Sequence, residues 1–191
     1  MPTGTTASTP AKYVYNGITS DLTINGQNVA PFLPNAGKPA ETFLTIVVNG
    51  DITGKITIGQ GVNVKIYFTG DVLLKASDLE NNNVDGAAGT YNADGSASTN
   101  YSRAAHMQLY GVSPTDGSTN TVEIDPPGNI WATIYAPNHD VTLTGNPDFY
   151  GAIVAHSFSG NGNTGFHYDK QIANSGIPTD YQIASYIEDI R

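Results

Sequence analysis

The stretch Ile46-Val47-Val48-Asn49-Gly50-Asp51-Ile52 returns twenty residues later as Ile66-Tyr67-Phe68-Thr69-Gly70-Asp71-Val72. The same alternation recurs in the second half. Ile130-Trp131-Ala132-Thr133-Ile134-Tyr135-Ala136 aligns with Phe149-Tyr150-Gly151-Ala152-Ile153-Val154-Ala155 at an offset of 19. His139-Asp140-Val141-Thr142 then meets His156-Ser157-Phe158-Ser159 at an offset of 17, and Phe166 repeats Phe149, again 17 on. A period of 17–20 residues without helical spacing marks a coil of stacked β-rungs, in which unequal corners change the offset. The expected fold is therefore all-β, a single-stranded parallel β-helix of roughly six or seven rungs. At about 4.8 Å per rung the body would be about 30 Å long. Ile46, Val48, Ile66, Phe68, Ile134, Ala136, Ile153 and Ala155 are the expected inward ladders.

Working outward from this repeat, residues 1–12 read as a flexible Thr/Pro linker and 13–191 as one domain. Tyr13-Val14-Tyr15 and Leu22-Thr23-Ile24 are strand candidates separated by the turn signal Asn16-Gly17. Residues 76–105 break the pattern. They are rich in Asn, Gly, Ala and Ser and read as a long loop excursion from one corner, where function concentrates on a rigid scaffold. Lys55 is expected to fall on Lys75. The segment 179–190 supports a helix or a strand, either of which would cover the open end of the stack.

Composition narrows the function classes. Charged residues are only 13% of the chain, so Thr, Ser, Asn and Gly must cover much of the surface. Eight Lys plus Arg against seventeen Asp plus Glu give a net charge of −9, with no basic stripe to neutralise phosphates; nucleic acid is not an expected partner. Cysteine is absent, so neither a disulfide framework nor a thiolate metal site is expected. No apolar run is long enough to span a bilayer, and no membrane insertion by this domain is expected.

Ile134-Tyr135-Ala136-Pro137-Asn138-His139-Asp140-Val141-Thr142-Leu143-Thr144-Gly145-Asn146, Asp148-Phe149-Tyr150-Gly151-Ala152-Ile153-Val154-Ala155 and Gly165-Phe166-His167-Tyr168-Asp169 follow one another in order. They resemble the "YAPNADVTLSGN", "DFYGAIVAKS" and "GFHYDE" signatures of an uncharacterised bacterial β-helical domain. That family occurs in exported proteins and in pilus-assembly proteins of the PilX type, and is loosely similar to the polymer-forming bactofilins. The resemblance implies a β-helical architecture and a surface location, with no established enzyme activity. Tyr181-Gln182-Ile183-Ala184-Ser185-Tyr186-Ile187-Glu188 resembles the family's closing strand, with Tyr for its Trp.

Several side chains could carry chemistry. Asp51, Asp71 and Asp140 share one corner position, with Asp140 not expected beside Asp71. Carboxylates stacked this closely either share a hard cation, calcium being the one such oxygens favour, or bond to backbone amides at the turn. His139 and His156 align and His167 follows, which suits zinc or copper if they converge and solvent-facing corners if they do not. Tyr91 and Tyr101, in the long loop, are candidate glycan-stacking residues because neither fits a rung interior. A lyase or glycosidase would need a base beside a cation or a pair of converging carboxylates, and no strong constellation of either kind emerges. The expectation is a non-enzymatic structural or adhesive module of a bacterial cell-surface or pilus-associated protein, extracellular or surface-located. Its expected partners are surface glycans, matrix or other envelope proteins, and no cofactor is expected beyond calcium. The alternative is a carbohydrate-binding or polysaccharide-degrading β-helix.

Overall fold

The computed structural model describes residues 11–25, 42–59, 61–75, 78–83, 102–113, 117–125, 128–146, 148–170 and 172. Every described strand pairing is parallel. The short apolar segments become strands because their side chains alternate between a buried and an outward position, the signature of a sheet with one dry face. The first level holds β1 (Ala11–Tyr15), the bridge residue Ile18 and β2 (Leu22–Ile24); the second holds β3 (Thr42–Val48), Ile52 and β4 (Ile56–Ile58). The third holds β5 (Val62–Phe68), β6 (Val72–Lys75) and β7 (Leu79–Asn81). Above it lie β8 (Met107–Gly111) and β9 (Asn120–Asp125). β10 (Ile130–Leu143) and β11 (Asp148–Gly160) follow, each as one long strand of the large sheet, and β12 (Gly165–Tyr168) comes last. The strands form a curled nine-stranded sheet and a separate three-stranded sheet, β2-β4-β7.

The pairing offsets follow the repeat. Ile46 lies beside Ile66, Ile134 beside Ile153 and Phe149 beside Phe166. Ile46, Val48, Ile66, Phe68, Ile134 and Ala136 are buried, whereas Ile153 and Ala155 are only partly covered because they approach the last level. There the inward columns end in Phe158 and Phe166, 49% and 46% exposed. Residues 179–190, expected to cover this end, lie outside the described residues.

Three expectations are corrected. Ala11 and Lys12, assigned to the linker, are part of β1 and pair with Leu44 and Thr45. Lys55 does not stack on Lys75. The third level has extra residues between β6 and β7, so Ile56 pairs with Leu79, Lys55 bonds Glu80 at 2.7 Å, and Lys75 pairs with Asp125. The excursion also begins later and ends earlier than 76–105. Leu79–Asn81 is a strand, and Ala104–His106 is a short 3-10 helix whose three residues are buried.

Candidate functional site

Because the register is parallel, each outward position becomes a column along the stack. On the first half of the large sheet one column runs Val14, Val47, Tyr67, Tyr110, Tyr135, Val154. Its neighbour runs Lys12, Thr45, Lys65, Gln108, Thr133, Ala152. The Tyr67 and Tyr110 rings stack with centroids 5.0 Å apart, and Tyr135 follows tilted at 6.2 Å. Tyr110 Oη donates to Gln108 Oε1 at 2.7 Å, and Gln108 Nε2 donates to the Ala105 carbonyl at 2.8 Å. This chain of bonds ties the returning end of the excursion to the sheet.

The same return builds a second aromatic stack. Trp131, Tyr150 and His167 are successive column partners, with ring separations of 5.3 and 4.5 Å and nearly parallel planes. The Arg103 guanidinium lies 3.6 Å from the Trp131 centroid and donates to the Asn81 carbonyl. Ser102 Oγ donates to Asp169 at 2.6 Å. The ring faces of this stack are therefore largely taken up by one another. The offsets 19 and 17 place Trp131, Tyr150 and His167 in register; nothing in the spacing marks Arg103.

The corner and second face are chemically different. Asp51 Oδ1 accepts the Asp71 amide at 2.9 Å, and Asp71 Oδ1 accepts the Thr121 amide at 2.8 Å. Thr121 sits between Asp71 and Asp140, so the expected separation of those two aspartates holds. Asp140 instead accepts from Ser157 Oγ at 2.5 Å and pairs with His156 Nδ1 at 2.9 Å, bonds that hold its carboxyl below the usual range. Asp51 and Asp71 thus accept backbone amides of the next level and not of their own turn, and Asp140 bonds a hydroxyl and an imidazole of the next level. Among the described residues, no three His, Asp or Glu side chains gather as metal ligands. Gly70 permits the close approach, since a Cβ there would lie 2.2 Å from Asp51 Oδ1. Beyond the corner, Glu123 and Asp125 point outward from β9.

The histidines do not converge. His139, expected as an exposed corner residue or a ligand, is fully buried. The register shift between Ala136 and Asp140 turns it inward, where it meets the edge of Phe68 at a centroid distance of 5.1 Å. It fills the space that Gly111 leaves in the column Phe68, Gly111, Ala136; a Cβ on Gly111 would lie 2.7 Å from the imidazole. Neither ring nitrogen has a hydrogen-bond partner, and burial lowers its pKa, opposed by Asp71. His156 is exposed on Asp140, and His167 is exposed 3.4 Å from Asp148. Tyr91 and Tyr101 lie outside the described residues.

A family model described as "Domain of unknown function (DUF7305)" matches residues 41–175. The chain belongs to that family. No curated protein and no solved structure matches it. The DUF7305 match takes in the excursion, the aspartate corner and both aromatic stacks, and leaves β1 and β2 outside. Among the described residues no helix is long and apolar enough to cross a membrane.

Proposed function

We propose that this DUF7305 chain is a single-stranded parallel β-helix serving as a non-enzymatic structural or adhesive module of a bacterial cell-surface or pilus-associated protein. Likeness to bactofilins is part of the same reading. The observation that carries it is how the outward side chains bond. Asp51, Asp71, Asp140, Trp131 and Tyr150 all direct their polar groups or ring faces at the next level of the same chain. Such columns reinforce a rigid body, as a scaffold requires, whereas a catalytic centre requires groups converging on a substrate. Calcium is not needed by this reading, because Asp51 and Asp71 each already hold a backbone amide.

Surface display is tested by labelling intact bacteria that express the whole protein; label reaching the domain only after permeabilisation would reject it. Adhesion is tested by incubating the purified domain with immobilised glycans, matrix proteins and envelope fractions. Saturable retention without product release is expected, and release of new sugar ends would reject the non-enzymatic reading. The carbohydrate-binding alternative is favoured by one specific feature, the tyrosine column of the large sheet.

A further inference from the structure

His139 is a titratable group inside the coil that shape alone holds in place. It is fully buried, and neither ring nitrogen has a protein partner. The bulge that turns it inward sets Pro137 and Asn138 outward in succession, where the strand otherwise alternates. The ring lies against the edge of Phe68 and against Gly111, a column position without a side chain. On the outer side of the same corner, Asn138 Nδ2 donates to Ser113 Oγ in an exposed bond. The described charged groups around the imidazole are Asp71, just before β6, and the Asp140–His156 pair, one residue along its own strand and on β11. β5, β8 and β9 bring Phe68, Gly111 and Asn120 to it, none of which titrates.

We propose that His139 is an acid-released latch: protonation drives its imidazole out of the coil and frees the corner 137–140, while the levels on either side stay folded. The inference goes beyond the structural and adhesive reading and does not rest on it. Its physical cause is the cost of a buried charge. An imidazolium at this site would sit against Phe68 and Gly111 with both N–H groups unbonded, whereas outside the coil water solvates it. Burial lowers the pKa of the folded ring, and Asp71 opposes this without cancelling it. A ring that has swung out takes the ordinary value of 6.5. The open corner therefore gains population as pH falls below 6.5. The route out is short. His139 follows two outward residues, so a rotation confined to the bulge suffices, at the cost of the Asn138–Ser113 bond. Asp140 is not the group that responds, because Ser157 and His156 hold its carboxyl below the usual range.

The test is hydrogen exchange of the whole chain at pH 7 and pH 5, corrected for the intrinsic rate at each pH. Protection of the 138–141 amides should fall roughly twentyfold between the two, the gain in open population set by a free imidazole. These amides should be less protected than those of Val64–Phe68 at both pH values and insensitive to low urea, because a local opening exposes little surface. His139→Gln, or His139→Phe should that variant fail to fold, removes the proton site and should abolish the fall. His106→Gln should leave it in place. Gly111→Ala puts a methyl 2.7 Å from the imidazole and should raise exchange at 138–141 already at pH 7. No fall in the unmodified chain, or the same fall without the His139 imidazole, would overturn the proposal. So would equal protection and equal urea dependence at the corner and in Val64–Phe68, which would mean global unfolding. A fall that His156→Gln abolishes would assign the response to the Asp140–His156 pair and overturn it as well.

Discussion

The tyrosine face and the aspartate corner are built on the same repeat and satisfy it by opposite means. At the corner, Asp51 and Asp71 each accept an amide of the level above, so their charge is held against the backbone. On the tyrosine face, rings meet rings and one hydroxyl is tied to Gln108, and the two columns themselves contain no carboxylate among the described residues. A parallel stack places identical positions about 4.8 Å apart, where like charges repel and like rings attract. Asp51 and Asp71 stand in such a column with an amide donor each to stabilise the carboxylate. Asp140 has Ser157 and His156 in that place.

The corner should break more readily than the face. Gly70→Ala would place a methyl 2.2 Å from Asp51 Oδ1 and 2.5 Å from the Gly50 carbonyl carbon, backbone that cannot swing aside. Overpacking together with loss of the Asp51–Asp71 bond should cost about 3 kcal/mol or more. Thr45→Ala on the tyrosine face should stay within about 0.5 kcal/mol. Urea unfolding of the two variants measures the contrast, and equal midpoints would remove it.

Acid separates the buried histidines from the rest of both regions. His106, beneath the return of the excursion, has its pKa lowered by burial from 6.5 to about 4, and the His139 pKa is lowered for the same reason. A histidine with a depressed folded pKa binds its proton more readily in the unfolded chain. Its contribution is therefore complete above 6.5 and is lost as pH falls towards the folded value. Between pH 7 and pH 5, His106 alone should remove about 2 kcal/mol. Thermal melts across that interval should show the loss, and His106→Gln should flatten it; an unchanged slope would mean that the imidazole reaches water.

Much of this contrast was legible in the sequence. The offsets of 20, 19 and 17 place Ile46 on Ile66, Ile134 on Ile153 and Phe149 on Phe166, because the inward alternation there is uninterrupted. Legibility ended where residues are added at corners. Extra residues between β6 and β7 moved Lys55 away from Lys75 and hid a three-residue strand in a polar stretch. The bulge at Pro137 and Asn138 shifted the alternation by one and turned His139 inward, which the pairing of His139 with His156 in sequence conceals. The tyrosine column was obscured because the excursion separates Tyr67 from Tyr110 along the chain. Even where Asp51 and Asp71 were visible as a column, their amide partners depended on which residue lies one level above.

Those amide partners give the next prediction. Asp71→Ala leaves the Thr121 amide without its acceptor and should cost about 1–2 kcal/mol, while Asp71→Asn keeps an acceptor oxygen and should cost less than half as much. Hydrogen exchange at Thr121 separates the two, rising in the alanine variant and staying low with asparagine. Equal exchange in both would show that the carboxylate column matters by charge and not as an acceptor.

The smallest change addresses the other face. Tyr110→Phe keeps the ring on Tyr67 and removes only the hydroxyl that donates to the buried Gln108. Leaving Gln108 Oε1 without that donor should cost about 1 kcal/mol, in keeping with one neutral hydrogen bond. The loss should be local, because Gln108 still holds the Ala105 carbonyl through Nε2. A stability loss as large as that of Asp71→Ala would show that the hydroxyl, and not ring stacking, organises the face. Both regions would then depend on directed hydrogen bonds, and the distinction between them would reduce to charge alone.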